Sequence, residues 1–179
     1  MNKQVVHIYG ASGSGTSTIG KFIAFKSGHF FMDTDDYFWE STDPPYTTKR
    51  NSSERIALMK SDIAKHDKVV ISGSLVDWGD ELIPFITLAI RVETDTEIRI
   101  DRLKKRERAQ FGNRIDMGGD MYENHRDFID WAASYDHGGL DMRSRLKHDE
   151  WQKRLQCQLI LLDGSLPVEK NFEIIRRYL

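Results

Sequence analysis

One glycine-rich segment near the start of the chain most constrains how this sequence can fold. Residues 9–18 read YGASGSGTST, after the apolar run VVHI and before an amphipathic stretch. Gly10 and Gly15 have the spacing of a phosphate-binding loop, in which a strand leads through a glycine turn into a helix. Such a turn directs backbone N–H groups and the positive end of the helix dipole at one point. The segment therefore predicts a strand–loop–helix unit that holds a phosphate group.

The loop departs at one position from the usual pattern, G-x-x-x-x-G-K-[ST]. Thr16 stands where a lysine normally reaches the phosphates, and Ser17 follows where a hydroxyl binds Mg²⁺. Either another cation substitutes or the chemistry is weak; Lys21 lies one turn further along, and arginines later in the chain are better placed. A glycine turn that only packs is the alternative. The loop residues predicted to bind a nucleotide are Gly10, Ala11, Ser12, Gly13, Ser14, Gly15, Thr16, Ser17 and Thr18, with Ser17 also the metal ligand.

Short apolar runs alternate with longer amphipathic stretches along the chain, which is typical of βαβ units around a parallel sheet. Helices are predicted over about 17–26, 52–66, 94–108 and from 167 to the end, with Asn51 and Thr94 as N-caps and Glu54 and Glu97 as their capping-box partners. The predicted strands, rich in Val, Ile, Leu and Phe as expected for strands covered on both faces, are QVVHIYG, HFFMD, KVVISG, ITLAIRV and CQLILLD.

The pattern changes between the fourth and fifth predicted strands. Five glycines interrupt residues 109–151, and short helices fit around 121–136 and 141–151. A chain of 179 residues suits one domain with a sizeable core. We therefore predict a single domain over residues 1–179 with a lid insertion at about 109–151.

Charge and cysteine content narrow the functional class. A net charge of −2 gives no general attraction to nucleic acid or anionic membranes, and only the basic stripe Arg99, Arg102 and Arg106 favours nucleic-acid binding. The first apolar run is too short for a signal peptide or a membrane span. A single cysteine, Cys157, allows no internal disulfide. We expect a cytoplasmic protein without a nucleic-acid or membrane partner.

In combination, several segments resemble the P-loop kinases of nucleotides and small molecules, such as adenylate, cytidylate, shikimate and gluconate kinases. The segments are GASGSGTST, DTDDYFW, SGS and RLKKR. More closely, the chain resembles a bacterial adenylate kinase-like group whose loop also has Thr for Lys. The resemblance covers most of the chain. It implies a three-layer α/β P-loop NTPase fold, a five-stranded parallel sheet of order 2-3-1-4-5, a helical lid, and Mg²⁺ with ATP on the loop.

The resemblance also implies arginines on the ATP side. Arg102 and Arg106 match an R-x-x-x-R pair that precedes the lid, and their i, i+4 spacing puts them on one helix face. Arg106 would contact phosphate, and Arg102 would stack on adenine. After the lid, Arg143 and Arg145, with Arg114 behind them, are candidates to replace the missing positive charge. A solvated basic face is the alternative for the first pair.

The segment LLDGSLPVE, at the end of the fifth predicted strand, resembles the segment that lies against adenine in these kinases. Gly164 and Ser165 would then line the base pocket. An ordinary strand-to-helix turn explains the same residues, so both interpretations stay open.

An acidic cluster follows the second predicted strand, where ligands bind in open α/β sheets. The segment FMDTDDYFW contains Asp33, Asp35 and Asp36. In hydroxyl-phosphorylating relatives an aspartate here holds or deprotonates the acceptor, and we assign Asp35 first and Asp33 second, as a general base or by orienting Mg²⁺ through water. Carboxylates repel a monophosphate, which favours a neutral or cationic acceptor, although Arg50 and Arg55 keep a nucleotide acceptor open.

These residues predict a phosphotransferase that moves the γ-phosphoryl group of ATP to a hydroxyl of a small molecule. Two alternatives remain. One is a nucleoside monophosphate kinase of the adenylate type. The other is a regulatory module that binds a nucleotide without catalysis, which the missing loop lysine supports. The residues predicted to be catalytic are Asp35, Asp33, Arg106 and Arg143.

Overall fold

Five parallel strands form one sheet in the order β2-β3-β1-β4-β5. The computed structural model describes residues 3–179, so the first two residues of the predicted domain lie outside the described part of the chain. The sheet order confirms the predicted P-loop NTPase fold, and every predicted strand is present. The strands are β1 Gln4–Gly10, β2 Phe30–Asp33, β3 Lys68–Ser72, β4 Leu88–Glu93 and β5 Gln158–Asp163.

Helices connect the strands and cover both faces of the sheet. None of the helices in residues 3–179 has the length and apolar character needed to cross a bilayer. The α-helices are α1 Thr16–Ser27, α2 Thr34–Phe38, α3 Ser52–Lys65, α4 Thr96–Phe111, α5 Tyr122–Ala133, α6 Arg145–Gln152 and α7 Val168–Ile175.

The core has two parts, one on each face of the sheet. Side chains of β1 alternate between them, because successive residues of a strand point to opposite faces. Val6 and Ile8 pack with α1 and α7, whereas Val5 and Tyr9 pack with α3 and with Trp151 of α6. Both faces of the central strand are therefore buried, which explains its nearly continuous apolar sequence.

The connection from β4 to β5 contains the helices of the predicted insertion. Helix α5 packs on α4 through a small apolar cluster of Leu103, Ile129 and Ala132. Helix α6 lies against the sheet through Trp151. The insertion thus combines a part that packs on α4 with a part that belongs to the main core.

The first turn of α4 differs from the prediction. Asp95, not Thr94, is the N-cap, and its side chain accepts the N–H of Glu97 at 2.8 Å. Thr94 is buried and donates its hydroxyl to the C=O of Ser14 at 3.0 Å. Both residue types cap helices well, and a contact with the glycine-rich loop decides between them.

Candidate functional site

The glycine-rich loop forms a tight turn between β1 and α1. The N–H of Ser14 donates to the C=O of Ala11 at 3.1 Å. Gly13 has φ +79°, and a Cβ there would lie 2.6 Å from the carbonyl oxygen of Arg99 in α4. A side chain at this position would be strained and would also clash with backbone, so the loop and α4 can approach this closely only through glycine.

Arg99 ties the loop to the start of α4 and the end of α5. Its side chain is buried and donates to three carbonyl oxygens: Thr94 at 3.1 Å, Ala132 at 3.1 Å and Ser12 at 3.4 Å. It also pairs with Asp136 at 3.0 Å. Arg99 is therefore a structural support under the loop and is absent from the surface, so the basic stripe considered for nucleic-acid binding does not form.

Arg143 brings a positive charge to the loop that lacks its lysine. Its Nη2 donates to the hydroxyl of Ser12 at 2.6 Å, and its guanidinium lies over the ring of Trp131 at 4.6 Å. No carboxylate of residues 3–179 forms a salt bridge with it, and its Nε is buried without a hydrogen-bond partner. Burial lowers the pKa of Arg143, while Asp35 opposes that shift.

The other two predicted ATP-side arginines lie along one face of α4. Nη1 of Arg102 is 3.5 Å from the C=O of Gly13, at the limit of a hydrogen bond. Arg106 lies further out, with its guanidinium 6.0 Å from the ring centre of Phe128 and a long 4.0 Å ion pair with Glu107. Arg102 thus contacts the loop, and Arg106 stands at the rim of the cleft.

Two further lid arginines, which the sequence also offers as replacements for the missing positive charge, are already paired with carboxylates. Arg145 binds Asp136 at 2.9 Å and Glu93 at 3.1 Å. Arg114 binds Asp120 at 2.6 Å and Asp43 at 3.0 Å. Their charges are largely neutralised by these partners, which leaves Arg143 as the better-placed cation.

Ser17 and Asp33 meet at the start of α1. The Ser17 hydroxyl donates to Oδ2 of Asp33 at 2.9 Å, and the Ser72 hydroxyl lies 3.5 Å from Ser17 Oγ. Oxygen atoms are the donors that Mg²⁺ prefers, and this ion usually keeps several waters and binds through one or two protein groups plus substrate phosphates. Within residues 3–179 no cluster of three or more metal-ligating side chains forms. The sparse oxygen set fits Mg²⁺ bound together with phosphates.

The acidic cluster follows β2 directly and opens the short helix α2. Oδ1 of Asp33 accepts the N–H of Asp35 at 3.2 Å, which caps the helix. The side chain of Asp35 keeps solvent access at the surface of the cleft. Burial by the surrounding atoms raises the pKa of Asp35 and the charge of Asp33 raises it further, whereas Arg143 and Arg106 lower it. Asp35 therefore lies within the field of the loop-bound arginine.

Lys21, in α1, lies near the acidic cluster. Its Nζ lies 5.6 Å from the ring centre of Phe31. Burial raises the pKa of Asp36, as does Asp33, and Lys21 opposes that shift. The lysine thus neutralises part of the acidic cluster.

Aromatic side chains form a wall next to the acidic cluster. The Phe38 ring contacts those of Trp39 and Trp78, with centres 4.8 and 5.8 Å apart, and Trp39 contacts Tyr46 at 6.1 Å. The guanidinium of Arg55 lies 3.8 Å from the Phe38 ring centre. Arg55 is buried, and no carboxylate of residues 3–179 forms a salt bridge with it. The sequence had not indicated this stacking, because its partners come from three separate segments.

Arg50 closes the loop that precedes α3 and does not reach into the cleft. Its donors go to the C=O of Tyr37 at 3.1 Å, the C=O of Trp39 at 3.4 Å and the carboxylate of Glu54 at 3.0 Å. Glu54 is thereby used in an ion pair and is not the predicted capping-box partner of Asn51. Arg50 and Arg55 are the two arginines considered for binding an anionic acceptor. Of these, Arg55 forms no ion pair with a carboxylate of residues 3–179, whereas Arg50 is paired with Glu54.

The turn after β5 lies against the back of the glycine-rich loop. A Cβ on Gly164 would be 2.2 Å from the C=O of Ser14, and the N–H of Gly164 donates to Glu93 at 2.8 Å. The hydroxyl of Ser165 donates to Asp163 at 2.6 Å. Gly164 thus adjoins the back of the loop, and Ser165 takes part in a local turn.

A cavity of about 490 Å³ opens beside this site and not in it. It lies beyond the ends of β4 and β5, and its charged lining residues are Glu93, Asp95, Asp136, Arg145 and Asp163. Four of its five charged lining residues are acidic, so it is poorly suited to phosphate. The loop site itself is an open cleft.

The strand order, the glycine turn and the Ser17–Asp33 pair together define a P-loop kinase fold. Solved structures with this fold include a sugar kinase from Janibacter sp. HTCC2649, 15% identical with a TM-score of 0.53, covering 98% of this chain and 94% of that one. A shikimate kinase from Bacteroides thetaiotaomicron is 17% identical with a TM-score of 0.54, covering 97% of this chain and 98% of that one. These similarities show the fold.

The family model described as "AAA domain" (AAA_18) matches residues 6–127, and the chain belongs to that family. A relative that spans nearly the whole chain is the Bacillus subtilis (strain 168) protein named "Uncharacterized protein YqaC", 34% identical over 177 residues, covering 99% of this chain and 98% of that one. The predicted membership of the P-loop kinase-like family is confirmed.

Proposed function

We propose that this protein is an ATP-dependent phosphotransferase acting on a hydroxyl group of a small molecule. The observation that supports the proposal most is the position of Arg143 beside the glycine-rich loop. Its guanidinium is bonded to Ser12 of the glycine-rich loop, lacks a carboxylate partner within residues 3–179, and lies in the field of Asp35. An unpaired cation and a carboxylate near a phosphate loop are the groups that phosphoryl transfer needs.

On the donor side, the backbone N–H groups of the loop and the start of α1 would hold the phosphates. Arg102 and Gly164 both adjoin the loop and would lie on the side of the nucleotide base. Ser17 and Asp33 would hold Mg²⁺, whose charge would offset that of the phosphates. Arg143 would stabilise the charge that develops on the transferred group, in place of a lysine at position 16.

On the acceptor side, Asp35 would accept the proton of the acceptor hydroxyl. The hydroxyl oxygen then forms the new bond to the γ-phosphorus while the bond to the bridging oxygen of ADP breaks, and the proton stays on Asp35 until it passes to solvent. A raised pKa makes Asp35 a stronger base than an aspartate of ordinary pKa. Phe38 and Trp78 offer flat apolar surfaces for the body of the acceptor.

A second candidate function, a nucleoside monophosphate kinase, is favoured by Arg55. This buried guanidinium has no carboxylate partner within residues 3–179 and lies beside the aromatic wall. An anionic group on the acceptor would supply the missing partner. ADP formation should therefore be compared between neutral polyols and nucleoside monophosphates. Arg55→Ala should raise the KM of anionic acceptors alone.

The first test is a calorimetric titration with ATP, with and without Mg²⁺. We expect binding that Mg²⁺ strengthens, and about a tenfold loss of affinity in Arg143→Ala, or about 1.4 kcal/mol. Arg154→Ala is the matched control, since Arg154 is exposed and pairs with Asp80.

Two results would go against the proposal. No binding at millimolar ATP would remove its donor. Binding without any acceptor that accelerates ADP formation would leave a nucleotide-binding module in place of an enzyme.

A further inference from the structure

A buried chain of hydrogen bonds connects the carboxyl end of β3 with the lid insertion. The hydroxyl of Ser74 lies 2.9 Å from Nε2 of His148, and the hydroxyl of Tyr135 lies 2.6 Å from Nδ1 of the same ring. All three side chains are buried, and His148 has no exposed surface. None of the three hydrogen-bonds to the glycine-rich loop within residues 3–179. The reaction proposed above does not use this Ser74–His148–Tyr135 chain.

His148 is neutral in this position. Burial lowers its pKa to about 2, and the charges of Arg143 and Arg91 lower it further. A neutral imidazole has one N–H donor and one acceptor nitrogen, so it can connect two hydroxyl groups with both bonds satisfied. The ring is thus a fixed bridge between two segments that are 61 residues apart in sequence, Ser74 and Tyr135.

The same helix that contains His148 sets the position of Arg143. Arg143 directly precedes Ser144, the N-cap of α6. The Ser144 hydroxyl donates to the C=O of Gly139 at 2.7 Å and accepts the N–H of Lys147 at 3.0 Å. The backbone beside Arg143 is therefore held by the cap, and the cap moves with α6.

Arg143 itself has few contacts that would restore its place if α6 shifted. Its guanidinium has one hydrogen bond, to Ser12, and a stacking contact with Trp131. Arg99, in contrast, has donors to several carbonyl groups and an ion pair. A displacement of about 1 Å at a catalytic group can cost about a hundredfold in rate. A cation supplied from outside the loop therefore requires a rigid support.

We propose that the Ser74–His148–Tyr135 chain positions Arg143. By fixing α6 to the end of β3 on one side and to the end of α5 on the other, it holds the guanidinium at Ser12. This role rests on the proposed function, because it presumes that Arg143 contacts the phosphates. His148 and its two partners are positioning residues, since none of them touches the substrate.

A double-mutant cycle tests the proposal. The Kd of Mg²⁺ with ATP is measured by calorimetry for the wild type, Tyr135→Phe, Arg143→Ala and the double variant. We expect Tyr135→Phe to weaken binding about threefold, because it leaves one His148 nitrogen unpaired and loosens α6. In the Arg143→Ala background the same substitution should have no further effect. A role in stability alone would not produce this dependence on Arg143.

Tyr37→Phe is the matched control. It also removes one partly buried hydroxyl, which donates to Asp62 at 2.8 Å and takes no part in the Ser74–His148–Tyr135 chain. It should lower thermal stability without changing the Kd. Ser74→Ala, at the other end of the chain, goes through the same cycle and replaces Tyr135→Phe if that variant is unfolded at the assay temperature.

The possible results distinguish a failure of the positioning role from a failure of the proposed function. Equal losses in both backgrounds, or no loss from either Tyr135→Phe or Ser74→Ala, would overturn the positioning role while leaving ATP binding through Arg143 intact. A wild type that binds no ATP, or an Arg143→Ala variant with unchanged affinity, would overturn the proposed role of Arg143 and the positioning role with it.

Discussion

The two halves of the cleft are built in different ways. The donor half is the glycine-rich loop, residues 10–16, with the start of α1 and the α4 side chains that contact it. It is held by backbone turns and by the buried Arg99. The acceptor half is α2 with residues 39–51 and Arg55, and it consists of aromatic rings and half-exposed side chains. In the proposed reaction, phosphate binding would therefore depend on backbone geometry, and acceptor selection would depend on exchangeable side chains.

Because the two halves differ in this way, we expect substitutions in the donor half to change mainly the Kd of ATP and substitutions in the acceptor half to change mainly kcat. The largest effect is expected from Asp35→Asn in the acceptor half. Removing the base should lower kcat by about a hundredfold to ten-thousandfold, because general base catalysis typically contributes that much. The Kd of ATP should stay within about twofold, since Asp35 has no hydrogen bond to the loop.

Asp36→Asn is the control for this substitution. Asp36 is the next residue of α2, its pKa is also raised, and Lys21 opposes the shift. It should keep most of the turnover. Equal loss of kcat in both variants would show that the whole acidic cluster acts by its charge, and that Asp35 is not the base.

The donor half could be predicted from sequence because its determinants are local. The spacing of Gly10 and Gly15 and the apolar run before them indicate the turn without any distant contact. The burial of Arg99 could not be predicted in this way. Its three carbonyl partners come from the loop, the start of α4 and the end of α5, so its surroundings exist only in the folded chain.

The acceptor half was predicted less completely. Asp33 and Asp35 could be predicted as site residues because they follow a strand, but the five residues of α2 are too few for a helical period to be visible. The stacking of Arg55 on Phe38 joins residues from two elements, and Trp78 reaches the same wall from the segment after β3. Side-chain contacts of this kind leave no regular pattern in a sequence.

An effect of intermediate size on ATP affinity is expected when the usual loop lysine is introduced at position 16 of the donor half. If Arg143 supplies the missing charge, Thr16→Lys should change wild-type affinity for ATP little, because the added cation would adjoin one already present. In the Arg143→Ala variant the same substitution should restore affinity by about tenfold. Titrations of the four proteins measure this. A similar gain in both backgrounds would mean that Arg143 and Lys at position 16 act at different places.

The smallest effects are expected in the pH dependence, where the two halves meet at Asp35. As a base it must be ionised, so kcat/KM falls when the pH drops through its pKa. Burial and Asp33 raise that pKa, and Arg143 lowers it. Arg143→Gln removes a cation that favours the ionised form of Asp35. The fall of kcat/KM at low pH, the acid limb of the profile, should therefore move to higher pH. Asp33→Asn removes an anion that disfavours it, so the limb should move to lower pH.

The position of the limb is independent of how much activity each variant retains, which matters because both substitutions also affect phosphate or Mg²⁺ binding. Arg154→Gln, remote from the cleft, should leave the limb in place. Shifts in opposite directions cannot come from a general loosening of the site, since loosening would move both variants toward the pKa of an exposed aspartate. A limb that stays in place in both variants would remove Asp35 from the role of base and assign the acid limb to another group.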